Sequence, residues 1–239
     1  MMDTSNLKIK IYADGADIND IREASGQSFV SGFTTNPSLL KKAGVLDYLK
    51  FAREVVAEFP NKDISFEVFS NKPEEMLKEA QILHDLGDNV YVKIPIITTD
   101  GKSTADVIKK LSEAKINLNI TAITTLEQVE IAENNLYHGT KNLISIFVGR
   151  LADAGINPEQ FIKTSVEITK SHPEAALLWA STREVYNIFE AQQIGVDIIT
   201  VPPVLIKKLG QTGKSALEVS LDTVKGFEKD IKTSGLSIL

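Results

Sequence analysis

Short apolar runs recur along the chain, separated by longer stretches in which apolar residues return every three or four positions. The runs predict strands at Lys8–Tyr12, Phe29–Phe33, Ile64–Phe69, Asn89–Ile94, Asn117–Ile120, Leu143–Val148, Ala176–Ala180 and Ile198–Val201. The stretches between them predict amphipathic helices. In Lys72–Gly87, Met76, Leu77, Ala80, Leu83 and Leu86 fall on one helical face; Leu126–Glu133 and Arg183–Gln193 follow the same rule less regularly. Strands alternating with helices imply parallel βαβ crossovers. Eight such units predict a single α/β domain over 1–239, a closed (β/α)8 TIM barrel. The rival is an open doubly wound sheet. It lacks support, because Asp14-Gly15-Ala16-Asp17 follows the first strand in place of a glycine-rich nucleotide turn. Gly210–Ser215 reads as a loop, about 215–232 as a C-terminal helix, and the tail from Thr233 as a flexible end.

Composition narrows the chemistry. A net charge of -6 argues against nucleic acid and anionic membrane as partners. An anionic substrate therefore has to be held by local basic groups. There are no cysteines, which excludes disulfides, thiolate metal sites and cysteine nucleophiles. Met1–Leu7 lacks the features of a secretion signal and no apolar run is long enough to span a bilayer, so a soluble cytoplasmic protein is expected. Two short motifs carry nothing. Gly101-Lys102-Ser103-Thr104 resembles the end of a phosphate loop, but Ile96 stands where the first glycine belongs, and Asn119-Ile120-Thr121 is a glycosylation triplet without a secretion context.

In a barrel of this class, polar residues at the C-terminal strand ends face the active site. Read in order, the ends present Asp14, Thr34 to Asn36, Glu67, Lys93, Asn119 with Thr121, Ser145, Arg150, Ser181 and Arg183, and an apolar end near Pro202. Lys93 is the most informative, because it lies in the otherwise apolar strand Val90-Tyr91-Val92-Lys93-Ile94 and lysine is rarely buried without a function. A desolvated lysine beside another cation loses its proton more readily than one in water. The freed amine can attack a ketose carbonyl and form an imine, an electron sink for cleaving the neighbouring carbon–carbon bond. That chemistry requires no metal or cofactor, and none is expected. Glu67, Asp14 and Thr121 are candidates for moving protons and placing a water, and Asn36 and Asn119 for binding hydroxyls. Arg150, Ser181 and Arg183 form a candidate phosphate clamp.

Gly32-Phe33-Thr34-Thr35-Asn36-Pro37-Ser38, Val92-Lys93-Ile94-Pro95, Asn117-Leu118-Asn119-Ile120-Thr121, Phe147-Val148-Gly149-Arg150-Leu151 and Ala180-Ser181-Thr182-Arg183 closely resemble the transaldolases, in order and spacing, from about Ile9 to Leu209. The resemblance implies that Lys93 carries a Schiff base, that Asp14 assists proton transfer, and that Glu67 and Thr121 hold the catalytic water. It makes Asn36, Asn119 and Ser145 substrate contacts, with Thr34 and Phe147 beside them, and Arg150, Ser181 and Arg183 the phosphate site. The implied reaction, of the pentose phosphate pathway, moves a dihydroxyacetone unit from a ketose phosphate such as sedoheptulose 7-phosphate to glyceraldehyde 3-phosphate. A related fructose-6-phosphate aldolase releases free dihydroxyacetone. It tends to have Gln and Tyr where this chain has Glu67 and Phe147, so transfer is favoured. A non-catalytic sugar-phosphate-binding barrel is the remaining alternative. Ile146, Ala152 and Gly15 depart from the residues common in the family and imply altered loop stiffness. Short members form ring-like oligomers and longer ones dimers, so a homo-oligomer is expected.

Overall fold

Alternate residues of each strand have opposite fates, and that alternation builds both the core and the site. A computed structural model describes residues 7–137, 139–170 and 175–238; of the Met1–Leu7 stretch only Leu7 lies within them. The strands are β1 (Lys10–Asp14), β2 (Val30–Thr34), β3 (Asp63–Glu67), β4 (Val90–Pro95), β5 (Leu118–Ile123), β6 (Asn142–Ile146), β7 (Ala175–Trp179) and β8 (Ile198–Val201). They pair in parallel, each with its sequence neighbour, and β8 closes on β1. The closed (β/α)8 barrel expected from the sequence is therefore present.

The helices are α1 (Ile18–Ser25), α2 (Pro37–Lys42), α3 (Tyr48–Glu58), α4 (Pro73–His84), α5 (Ala105–Glu113), α6 (Leu126–Asn135), α7 (Val148–Asp153), α8 (Glu159–Thr169), α9 (Tyr186–Ile194), α10 (Pro203–Lys208) and α11 (Ala216–Ser234). Residues such as Ile64, Phe66, Val92, Ile94, Ile120 and Ile199 point out of the barrel into the main core shared with the helices. Their neighbours point inward. A smaller cluster of Tyr12, Tyr91, Leu143, Leu178, Ala180 and Ile198 plugs the interior. One further step along these strands, on the same inward face, come Asp14, Lys93, Ser145 and Thr200. The barrel is thus apolar in its middle and polar at its C-terminal end. Gly32 is required for this plug, because a Cβ there would meet the Tyr12 ring and the Asp63 carbonyl at 2.7 Å.

Several boundaries differ from those expected. β1 and β2 run on to Asp14 and Thr34, because the inward residues at these ends are polar while the backbone stays extended, and β5 reaches Ile123 past an irregularity at Ala122. β3 and β6 stop at Glu67 and Ile146, and Val148 already belongs to α7. The helix expected from Arg183 begins at Tyr186. α11 continues past Thr233 to Ser234, started by a Ser215–Glu218 capping box and ended by Gly235 in the left-handed region, so the tail from Thr233 is initially helical. In the expected loop at 210–215, a 3-10 turn spans Leu209–Gln211. Among the described residues, no helix is long and apolar enough to cross a membrane.

Candidate active site

Where the inward side chains turn polar, a cavity of about 460 Å³ opens, within the range of small-ligand sites. It is bordered by every residue singled out from the sequence: Asp14, Thr34, Asn36, Glu67, Lys93, Asn119, Thr121, Ser145, Phe147, Arg150, Ser181 and Arg183.

Lys93 is 5% exposed. Its Nζ donates to the Thr35 carbonyl at 2.7 Å and lies 3.3 Å from Glu67 Oε2. Glu67 is its register partner on β3, and Asn119 is its partner on β5. The pleat therefore delivers the acid, the lysine and the amide to one row. The charged groups set against Lys93 are the acids Glu67 and Asp14. A lysine this buried is tolerable only because the carbonyl and the acids compensate its desolvation.

Asp14 also acts electrostatically on the lysine. Burial pushes its carboxyl above the ordinary carboxylate range, against the opposing pull of Lys93 and of the Thr34 hydroxyl. Thr34 Oγ1 donates to Asp14 Oδ1 at 2.9 Å and meets Thr200 Oγ1 at 2.5 Å. Thr121 Oγ1 is buried without a hydrogen-bond partner among the described residues, an arrangement that costs about 1–3 kcal/mol. Beside it, Ala122 at φ 62° breaks the β5–β6 register. Such bulges re-aim side chains next to functional sites.

Asn119 is held from both sides. Ser145 Oγ donates to its Oδ1 at 2.6 Å, and its Nδ2 donates to Ser65 Oγ at 2.9 Å. Asn36 has a second task, because its Oδ1 caps α2 by accepting from the Leu39 N–H at 3.0 Å. Phe147 occupies the residue before α7, with its backbone N–H on the Ile123 carbonyl at 2.7 Å.

Arg150 comes from α7, and Ser181 and Arg183 from the loop after β7. That loop and helix touch so closely that a Cβ on Gly149 would fall 1.8 Å from the Ser181 carbonyl oxygen. Ser181 itself sits at φ 67°, a strained conformation that tight surroundings must enforce. The clamp is not two free arginines. Arg183 Nε donates to both Asp153 oxygens, at 3.1 and 3.0 Å, and Nη1 donates to the Ser181 carbonyl at 3.1 Å. The guanidinium beside it holds the Asp153 carboxyl below its usual range.

Three contributors escaped the sequence reading: Ser65, Asp153 and Thr200. The eighth strand does not present an apolar end, since Thr200 borders the cavity. Its signal was visible, a lone polar residue in Ile198-Ile199-Thr200-Val201, the same pattern that exposed Lys93. Of the three family departures, Ile146 is a buried outward residue of β6, Ala152 is exposed on α7, and Gly15 has room for a Cβ, 3.6 Å from Pro203. None borders the cavity.

Fold and cavity together define a (β/α)8 barrel with a buried lysine among acids and hydroxyls, and with arginines at one side. The model of the transaldolase/fructose-6-phosphate aldolase family matches residues 11–238. The chain is 37% identical over 226 residues to a probable transaldolase of Caldicellulosiruptor saccharolyticus, covering 94% of this chain and 96% of that protein. It is 33% identical over 235 residues to a probable transaldolase of Erythrobacter litoralis, covering 97% and 100%. This chain belongs to the transaldolase/fructose-6-phosphate aldolase family. Among solved structures, 3-hexulose-6-phosphate synthase from Salmonella typhimurium superposes with a TM-score of 0.57 at 14% identity, over 85% of this chain and 97% of that one. A dihydrodipicolinate synthase superposes with a TM-score of 0.59 at 13% identity, over 93% and 81%. These two likenesses concern the fold alone.

Proposed function

We propose that this chain is a transaldolase, which transfers a dihydroxyacetone unit from sedoheptulose 7-phosphate or fructose 6-phosphate to an aldose phosphate through a Schiff base on Lys93. The observation that carries the reading is Lys93 itself, buried at a strand end and held between the Thr35 carbonyl and Glu67. The family membership and the relatives' names support it.

The residues divide the work as follows. Lys93, once it has passed its extra proton to a neighbouring acid, attacks the ketose carbonyl. The resulting carbinolamine loses water with help from Glu67, and the Thr121 hydroxyl is the free group that can hold that water. Asp14 takes the C4 hydroxyl proton as the C3–C4 bond breaks, and the electron pair moves into the iminium. The aldose product leaves, and the three-carbon enamine stays on Lys93. The acceptor aldehyde then adds, Asp14 returns the proton to its oxygen, and water releases the new ketose. Asn119, steadied by Ser65 and Ser145, and Asn36 contact sugar hydroxyls. Arg150, Ser181 and Arg183 bind the phosphate.

Phe147 and Glu67 favour transfer over release, since neither places a tyrosine hydroxyl beside the water. A coupled assay with sedoheptulose 7-phosphate and acceptor tests the reading. Efficient turnover of fructose 6-phosphate without acceptor would instead mark a dihydroxyacetone-releasing aldolase.

The same reading takes 1–239 as one barrel domain of a cytoplasmic homo-oligomer. Support for self-association comes from α11. It has no buried residue, and Leu217, Leu221, Val224, Phe227 and Ile231 are all about half exposed or more, an apolar face that calls for a partner surface.

A further inference from the structure

The cavity contains one hydroxyl on β8 with no role in the scheme above. Thr200 is 3% exposed, and its neighbours Ile199 and Val201 point outward into the main core, so its side chain faces the barrel interior. Its backbone carbonyl accepts from Thr182 Oγ1 at 2.7 Å, which fixes the strand end. β2 and β8 flank β1 on opposite sides, yet the Thr34 and Thr200 hydroxyls meet at 2.5 Å beside the β1 carboxyl of Asp14.

We infer that Thr200 is a positioning residue that keeps the Thr34 hydroxyl donating to Asp14 Oδ1, so that ionised Asp14 takes the substrate proton on Oδ2. The inference rests on the reading of Asp14 as the proton carrier of a Schiff-base reaction.

The argument is a count of protons. Each threonine hydroxyl has one to donate. With Asp14 ionised, Thr34 donates its own to Asp14 Oδ1, so in its contact with Thr200 it accepts, and Thr200 donates. The three groups therefore form a directed chain from Thr200 to Thr34 to Oδ1. While that chain holds, Oδ1 is occupied as an acceptor, and the proton taken from substrate goes to Oδ2.

Without Thr200, the Thr34 hydroxyl loses the donor behind it and becomes a weaker, less firmly oriented donor to Oδ1. Neither oxygen of Asp14 is then reserved for the sugar proton. A carboxyl that burial keeps protonated to higher pH is the one for which this choice matters most. The charged group facing Asp14 is Lys93 from β4, with the Thr34 hydroxyl from β2 and, behind it, Thr200 from β8.

The test compares wild type, Thr200→Val and Thr200→Ser in the transfer assay across pH, alongside borohydride trapping of the ketose on the intact protein. Thr200→Val should lower kcat about tenfold, the worth of one hydrogen bond to an ionisable group, with the ketose KM nearly unchanged. The acid limb of its kcat profile should move to higher pH, because the Thr34 donor to ionised Asp14 is no longer reinforced by the hydroxyl behind it. Trapping should be retained, since Lys93 is untouched, and Thr200→Ser should restore rate and profile. Thr200→Ala, which removes the hydroxyl without adding bulk, should shift the limb as Val does.

A Thr200→Val enzyme with wild-type kcat and limb would overturn the inference. So would a Thr200→Ser enzyme as impaired as Val, because the methyl and not the hydroxyl would then be at work. If wild type itself is not trapped by borohydride, it is the Schiff-base reading that fails.

Discussion

Glu67 Oε2 stands 3.3 Å from Lys93 Nζ, across strands paired residue for residue at this point. That register makes the pair a product of the barrel and not of a flexible loop. It also places an acid where a proton can leave the ammonium before the amine attacks, and where water can be handled afterwards. Glu67→Gln keeps the shape and removes the base. Its kcat should fall about 10²–10⁴-fold, the usual worth of a placed acid–base group. Burst trapping of the substrate under borohydride would show whether imine formation is the slowed step. Wild-type turnover in this variant would leave Glu67 with a purely structural role.

Asp14 links activity and stability in opposite directions. Its carboxyl titrates above the ordinary range when folded, so the folded protein holds this proton to higher pH than the unfolded chain does. Stability owed to this group is therefore present at low pH and is lost as pH rises through the folded-state value. Asp14→Asn should raise Tm at neutral pH, give little gain at pH values below the carboxylate range, and abolish turnover together with the acid limb of the rate profile. Thermal melts at several pH values check the sign.

The Asp153–Arg183 pair is exposed and contributes little to stability. Its consequence lies in recognition, because Asp153 and the Ser181 carbonyl together fix the direction in which the guanidinium points. Asp153→Ala should raise KM for phosphorylated acceptors several-fold, and Arg150→Ala more, about tenfold or beyond. Neither should alter KM for unphosphorylated glyceraldehyde. Equal effects on both acceptors would remove the clamp from the phosphate site.

Gly149 tests the contact between α7 and the strained Ser181. A Cβ there has no room against the Ser181 carbonyl, so Gly149→Ala should cost about 1–3 kcal/mol, the range for overpacking. A lowered Tm with weakened phosphate binding is the expected pair of results. A wild-type melt would show that the loop is free to move away.

The barrel and most of the site could be read from residue pattern. Eight apolar runs with helical spacing between them specify alternating units, and the polar residues ending those runs mark the open face. Strand ends were misjudged where polarity was mistaken for the end of extended structure, as at Asp14, Thr34 and Thr121. Hydrophobicity reports burial against helices, whereas these residues are inward at the cavity. Ser65 and Thr200 were missed because a small hydroxyl in a strand looks like any β-former; only closure of the barrel brings Thr200 to Thr34. Asp153 was missed because its partner lies 30 residues away across a loop contact. The neighbours of Lys93 were also unreadable, since strand register and not sequence spacing brings Glu67 to it.

The central claim is that Lys93 forms the covalent link to the sugar. Borohydride reduction of the protein with fructose 6-phosphate, followed by peptide mass spectrometry, measures this directly. The account predicts one dihydroxyacetone-derived adduct on the peptide containing Lys93, and none in Lys93→Ala. An adduct that persists in Lys93→Ala, or that forms on another lysine in the wild type, would contradict it.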